Sequence, residues 1–241
     1  MKMVNDTTGL ERDLDALGIS LDDSQIARFV RYYEMLAEWN QVMNLTAITE
    51  YEDVVKKHFV DSLTLVKVWD ATRPCSLIDV GTGAGFPGLA LKIAFPGMKV
   101  TLLDSLNKRI QFLNAVIGDL GLTGVETVHG RAEDLARPGK LRESFDLCVS
   151  RAVANLSTLS EYCLPFVKKG GFFIAYKSEG ASDEMAEAER AIAILGGETT
   201  ENKEFLLPDS CICRCLSVIR KVKDTPVKYP RKAGLPGREP L

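Results

Sequence analysis

The sequence predicts an α/β protein: a mainly parallel, seven-stranded sheet with helices on both faces and a helical cap ahead of it. Three observations predict it. From Ser76 to Leu91 the chain reads SLIDVGTGAGFPGLAL, an apolar run, a turn with glycine at alternate positions, and a second apolar segment. From Pro74 onward, short apolar runs alternate with helical patterns across short links. Ahead of Pro74, apolar residues recur at helical spacing instead. At 241 residues the chain suits one domain with extensions, and 46% hydrophobic residues suffice for a full core. The expected division is a cap over residues 1–70, a Rossmann-like domain over 71–221 and an extended basic arm over 222–241.

In order, Asp22 with Gln25 forms a capping box, with Leu21 and Ile26 as its hydrophobic staple. The helix that follows carries Ile26, Phe29, Val30, Tyr33, Leu36 and Trp39 on one stripe and ends near Asn40. After the loop QVMNLTAI, Thr49 with Glu52 reads as a second capping box, opening a helix with Val54, Phe59, Leu63 and Trp69 on its apolar face. Leu77–Val80 is the first strand and Leu89–Phe95 its helix, with Pro87 in the first turn, where a missing N–H costs nothing. Lys99–Leu103 is a strand ending in Asp104, and Ser105 caps the next helix, which Gly121 stops. Further strands are expected at Val125–Val128, Phe145–Val149 and Phe172–Tyr176, and helices at Asn155–Val167 and Met185–Leu195. Glu204–Leu207 and Ile212–Ile219 complete the sheet as an antiparallel pair.

Strand, glycine turn and helix make the opening unit of a Rossmann-type domain, in which a nucleotide approaches the backbone closely. Gly83, Gly85 and Gly88 satisfy G-x-G-x-x-G, a dinucleotide fingerprint; Gly81, Gly83 and Gly85 satisfy G-x-G-x-G, with Asp79 just ahead. A pyrophosphate at the helix N-terminus would be opposed by that carboxylate. S-adenosylmethionine has no phosphate, and its ammonium and sulfonium would be attracted. The loop therefore favours S-adenosylmethionine over a dinucleotide or an empty glycine turn.

The net charge of −3 argues by itself against a nucleic-acid partner, but the distribution of that charge points the other way. From Arg214 to Leu241 there are eight Lys/Arg against two acids, a net +6, which leaves −9 for the rest. A basic tail on an acidic body suggests a polyanion, unless it is simply solvated. No segment approaches a membrane span, and the N-terminus lacks a signal-peptide core. Six cysteines in that setting read as reduced thiols of a cytoplasmic protein. Cys211, Cys213 and Cys215 alternate and are expected on one buried strand face. Neither His58 nor His129 belongs to a triad or metal spacing, and no P-loop is present.

Ligands in such sheets sit beyond the carboxyl ends of the strands. Asp104 is placed there to accept from ribose hydroxyls or, alternatively, to cap a helix. Gly130-Arg131-Ala132-Glu133-Asp134 reaches the adenine edge or is a solvated turn. Arg151 lines the cofactor pocket or, like Lys177, steadies RNA phosphate.

Trp39-Asn40, Asn44-Leu45-Thr46, His58, Asp61-Ser62, Asp79 to Gly88, His129 to Glu133 and Ser150-Arg151-Ala152 together resemble the glucose-inhibited division B family. These are bacterial 16S ribosomal RNA guanine-N7 methyltransferases. The resemblance runs from about residue 25 to the end, including Tyr229 to Gly234; Gly237 and Glu239 stand where family tails are more basic. It implies a class I methyltransferase fold and cofactor contacts at Gly81, Phe86, Ala132, Glu133 and Arg151. With the loop residues Gly83 and Gly85 and the acid Asp104, these are the expected S-adenosylmethionine contacts. Asn44, His58, Arg131, Lys177, Arg231 and Lys232 are the candidates for RNA, with no metal and a monomeric enzyme expected. A small-molecule methyltransferase, a non-catalytic assembly factor that binds the same cofactor, and a dehydrogenase are the rival readings.

Overall fold

The protein is described from a computed structural model covering residues 6–178 and 181–241, so the first five residues of the expected cap lie outside it. The cap comprises α1 (Thr8–Ala16), α2 (Asp23–Met43), α3 (Tyr51–Val54), a π-helical turn (Val55–Val60), α4 (Asp61–Leu63) and a 3-10 turn (Thr64–Lys67). The sheet contains β1 (Ser76–Val80), β2 (Lys99–Asp104), β3 (Val125–His129), β4 (Phe145–Arg151), β5 (Val167–Lys177), β6 (Gly197–Leu206) and β7 (Cys213–Lys221). Between and after them lie α5 (Gly88–Ala94), α6 (Asn107–Asp119), α7 (Ala132–Leu135), α8 (Leu156–Cys163), α9 (Ala181–Ile194) and α10 (Leu235–Arg238).

The strand order is β3-β2-β1-β4-β5-β7-β6, and only β7 runs against its neighbours. The order reverses between β1 and β4, which opens a crevice beyond their carboxyl ends. Successive side chains of β1 take opposite faces, as the period-2 pleat requires. Leu77 joins the core shared with the cap, α5 and α6, whereas Ile78 and Val80 join the core under α8 and α9. The cap is bound to the domain by aromatic packing: Tyr32 stacks on Phe86 at 5.2 Å and Phe59 lies 5.9 Å from the same ring.

The Asp22 capping box forms, with Gln25 N–H donating to Asp22 Oδ1 at 2.8 Å and Asp22 N–H to Gln25 Oε1 at 3.0 Å. The expected Thr49–Glu52 box does not. Glu50 is the N-cap of α3 without a side-chain bond, and the Thr49 carbonyl accepts from the Tyr33 hydroxyl at 3.2 Å. Leu106 rather than Ser105 precedes α6, and its N–H donates to Asp104 Oδ1 at 2.9 Å. The expected Ser105 cap does not form, and the α6 N-terminus carries no side-chain cap; Asp104 instead closes a two-residue turn ahead of the helix. Cys211 lies exposed ahead of β7, so only Cys213 and Cys215 share the strand. β5 starts at Val167, before Gly170 and Gly171; a Cβ at Gly171 would lie 2.6 Å from the Asp146 carbonyl, so only glycine permits that pairing.

The last twenty residues do not form an extended arm. The Arg142 guanidinium donates to the carbonyls of Thr225 and Tyr229, tying the tail to the body. The Glu161 carboxylate, fully buried, accepts from Arg231 Nη2 at 2.7 Å, Nε at 3.0 Å and backbone N–H at 2.7 Å. Thr158 and Ser157 hydroxyls then donate to the Pro236 and Leu241 carbonyls. Burial of Tyr229, Pro230 and Pro236, together with a buried counter-ion for Arg231, outweighs the solvation that the tail's prolines and charges suggested.

Candidate cofactor pocket

The crevice holds a cavity of about 480 Å³ whose floor is the β1–α5 turn. Gly81 and Gly83 adopt positive φ (72° and 63°), a region that side-chain-bearing residues enter only with strain. A Cβ on Gly81 would strike Val153 at 2.6 Å, while a Cβ on Gly83 would meet only one backbone oxygen, at 4.0 Å, and would occupy the cavity itself. Asp104 reaches the wall from the end of β2, fixed by Gly83 N–H at 3.0 Å and Arg109 Nη1 at 3.2 Å.

Asp79 sits differently from the sequence-based expectation. It does not line the cavity; it lies fully buried beneath the turn, where its Oδ2 accepts from Thr82 Oγ1 (2.7 Å) and Gly88 N–H (2.8 Å). A Cβ on Gly88 would be 2.9 Å from that oxygen. Burial pushes the Asp79 carboxyl up to about 6, partly offset by these two donors, and its Oδ1 has no partner among the described residues. Asp79 therefore already occupies the first N–H of α5, the group a pyrophosphate would need. The dinucleotide reading fails on that bond, whereas a cationic, phosphate-free cofactor suits a turn with a buried acid beneath it.

Gly81, Gly83, Phe86, Asp104, Ala132, Glu133 and Arg151 all line the cavity. Gly85 does not: its Cβ position points into the cap, against the Tyr32 hydroxyl, which itself donates to the Ala84 carbonyl. That glycine serves domain packing, at φ 100°. Glu133 accepts from Gly234 N–H at 2.9 Å, so the C-terminal tail braces this wall. Spacing alone did not reveal Thr46, Arg109, Val153 or Tyr162, which also line it; each comes from a segment whose position depends on packing.

Of the RNA candidates, His58 and Arg131 line the same cavity. The Asn40 side chain shapes the loop that reaches His58, accepting from Leu45 N–H (2.6 Å) and Thr46 N–H (2.9 Å) and donating to the Thr46 carbonyl (2.9 Å). His58 stacks on Phe86 at 4.6 Å. Arg151 Nη2 lies 3.3 Å from His58 Nδ1, and because a guanidinium only donates, Nδ1 must accept, leaving Nε2–H for Thr46 Oγ1 at 3.0 Å. Burial first, and the Arg151 charge second, hold His58 down to about 4. Arg151 is clamped in turn by Asp61, whose other oxygen holds Arg214 at 3.0 Å. Asn44 is exposed, at the left-handed C-cap of α2. Lys232 is exposed, and Arg231 is engaged with Glu161. Lys177 lines a second cavity of about 480 Å³, which shares His58, Arg151 and Ala152 with the first. Among the described residues no group of three or more His, Cys, Asp or Glu is placed to hold a metal ion, and no helix is long and apolar enough to cross a membrane.

The sheet order, the glycine turn and the acid ending β2 define a class I methyltransferase that uses S-adenosylmethionine. The architecture is shared with a SAM-dependent methyltransferase from Aquifex aeolicus, with a TM-score of 0.52 at 17% identity over 69% of this chain and 92% of that one. Residues 25–213 match the family model described as rRNA small subunit methyltransferase G, GidB, and the chain belongs to this family. A Ribosomal RNA small subunit methyltransferase G from Lachnoclostridium phytofermentans is 52% identical over 99% of this chain and 98% of its own length. One from Geobacillus thermodenitrificans is 48% identical over 98% and 99%.

Proposed function

We propose that the chain methylates N7 of an unpaired guanine in a loop of 16S ribosomal RNA, acting as a cytoplasmic monomer. The observation that carries this reading is the pair of adjoining cavities whose shared wall, His58 and Arg151, offers no group poised to take a proton near neutral pH. Guanine N7 has an in-plane lone pair and no proton, so a site without a base is suited to it. When bound, S-adenosylmethionine supplies an electrophilic methyl group on a sulfonium centre. Gly81 and Gly83 would leave room for its methionyl end, Asp104 would accept from its ribose hydroxyls, and Ala132 and Glu133 would flank its adenine. Arg151 and His58 orient what enters from the second cavity. Alignment of this kind is worth about 7–11 kcal/mol of barrier. N7 faces the major groove, which is deep and narrow in A-form RNA, so a loop guanine is the accessible target. Arg131 and Lys232, both exposed, remain available for phosphate. The deciding experiment is transfer of a labelled methyl group to small-subunit RNA, followed by mapping of the modified atom. A methylated exocyclic amine or ribose, or no transfer, would overturn the reading.

Two outcomes follow from the pocket itself. Gly83→Val places a branched side chain in the cavity at a positive φ; calorimetric titration should show no cofactor binding while circular dichroism stays native. Retained binding would remove the turn from the site. In single-turnover methylation at saturating cofactor, the rate should change by less than about threefold from pH 7 to 9, because His58 stays neutral there. Cofactor affinity should weaken as pH falls through about 6, where protonation of Asp79 removes the buried negative charge beneath the turn. A rate rising tenfold per pH unit above 7 would require a base and a different target atom.

A further inference from the structure

The second cavity is lined by Lys57, Arg151, Lys177 and Arg214 together with Asp61 and Glu184. Its volume of about 480 Å³ lies in the range of small-ligand sites. Most of its charges are already spent on one another. Both oxygens of Asp61 are taken, one by Arg151 and one by Arg214. Glu184 differs. Its Oε1 accepts from Leu156 N–H at 2.8 Å and Lys177 Nζ at 2.9 Å, while its Oε2 takes no hydrogen bond among the described residues. Glu184, which lines the cavity, therefore keeps one carboxylate oxygen without a protein donor among the described residues, beside the Lys177 ammonium.

We propose that this cavity seats the target guanine, with Lys177 and Glu184 reading its O6, N1–H and N2-amine edge; the inference rests on the N7 reading above. A guanine that turns N7 toward the wall shared with the cofactor pocket carries the N1–H and N2-amine end of its adjoining Watson–Crick edge away from that wall, toward the residues that are not shared, Lys177 and Glu184 among them. That edge presents an acceptor, O6, next to two donors, N1–H and the N2 amine. An ammonium beside a carboxylate matches it in polarity. Adenine presents the reverse, a donor at N6 and an acceptor at N1, and would place like against like at both groups. Glu184 thus makes the pocket selective for guanine, while Arg151 and His58 face the adjoining N7 edge at the cofactor side.

The test compares small-subunit RNA carrying guanosine or inosine at the modified position, assembled by ligation and presented to the full chain. Inosine keeps N7, O6 and N1–H and lacks only the N2 amine. Wild-type kcat/KM should be about tenfold or more higher for guanosine, as expected when a charged acceptor loses a donor. In E184A the two substrates should agree within about threefold, with guanosine methylation reduced about 10- to 100-fold and cofactor affinity unchanged by calorimetry. If E184A lowers both substrates equally and keeps the guanosine preference, Glu184 only anchors Leu156 and Lys177, and the inference is overturned. Should E184A fail to fold, E184Q keeps an acceptor for Leu156 N–H and should show a narrowed preference; a preference equal to wild type overturns the inference. If the wild type modifies an atom other than N7, the underlying reading fails instead, and that outcome is visible before any variant is made.

Discussion

Replacing Arg231 with alanine should lower the stability of the fold by about 3 kcal/mol, measured by urea denaturation. Removing one partner of a buried ion pair leaves the other charged and desolvated, and Glu161 is fully buried. The effect falls at the low end of the usual 3–5 kcal/mol, because the Arg231 side chain is 21% exposed and the backbone N–H at that position still donates to Glu161. Truncating both partners should recover part of the loss. The salt dependence of RNA binding separates this role from phosphate contact. Each lost phosphate contact flattens the slope of log K against log salt by about 0.7–0.9. Lys232→Ala should produce that change with little effect on stability, and Arg231→Ala should not. A stable Arg231→Ala protein with a flattened slope would restore Arg231 as an RNA contact and show that the tail leaves the body when RNA binds.

Asp61→Ala should cost about 3–5 kcal/mol in thermal or urea unfolding. The Asp61 side chain is 3% exposed and pairs with both Arg151 at 2.9 Å and Arg214 at 3.0 Å; without it two guanidinium groups lose their shared counter-ion. Its loss should also weaken cofactor binding, because Arg151 lines the pocket and its guanidinium lies over Phe86, 5.4 Å from the ring centre. Removing Arg214 as well should recover part of the stability. If Asp61→Ala alone unfolds at the wild-type denaturant concentration, the pair contributes nothing and the cap is held by its aromatic core. That core, Phe29, Tyr32 and Phe59 against Phe86, is the competing source of cohesion.

The strand–turn–helix unit at β1 and the Asp22 capping box were legible in the sequence because each is closed by residues within one or two turns of chain. Period, φ requirement and hydrogen-bond partner are all local there. Asp104 is not local in this sense: Gly83, which donates to it, is 21 residues away, and its place at the crevice follows from the fold rule that ligands sit beyond the carboxyl ends of adjacent strands. The Thr49–Glu52 pattern is as local as the Asp22 box and does not form: Glu50 is the N-cap of α3, one residue past Thr49, whose carbonyl is held by the Tyr33 hydroxyl. The glycines also divide. Positive φ at Gly81, Gly83 and Gly85 follows from the turn, but whether each missing Cβ makes room for a ligand or for Tyr32 depends on what packs above it.

The charges were decided by tertiary structure alone. Glu161 and Arg231 are 70 residues apart, Arg151 and His58 93, and Asp61 and Arg214 153. A charged residue's local sequence does not record how far it will be desolvated or which opposite charge will share its burial, and those two quantities set what it does. Local sequence therefore carried the fold class, the family and the glycine turn after β1. Folding determined that the basic tail is packed on the body through Tyr229, Pro230, Arg231 and Pro236, and that Asp79 holds the first N–H of α5 from beneath the pocket. Folding also brought His58 and Arg151 together as the wall between two cavities.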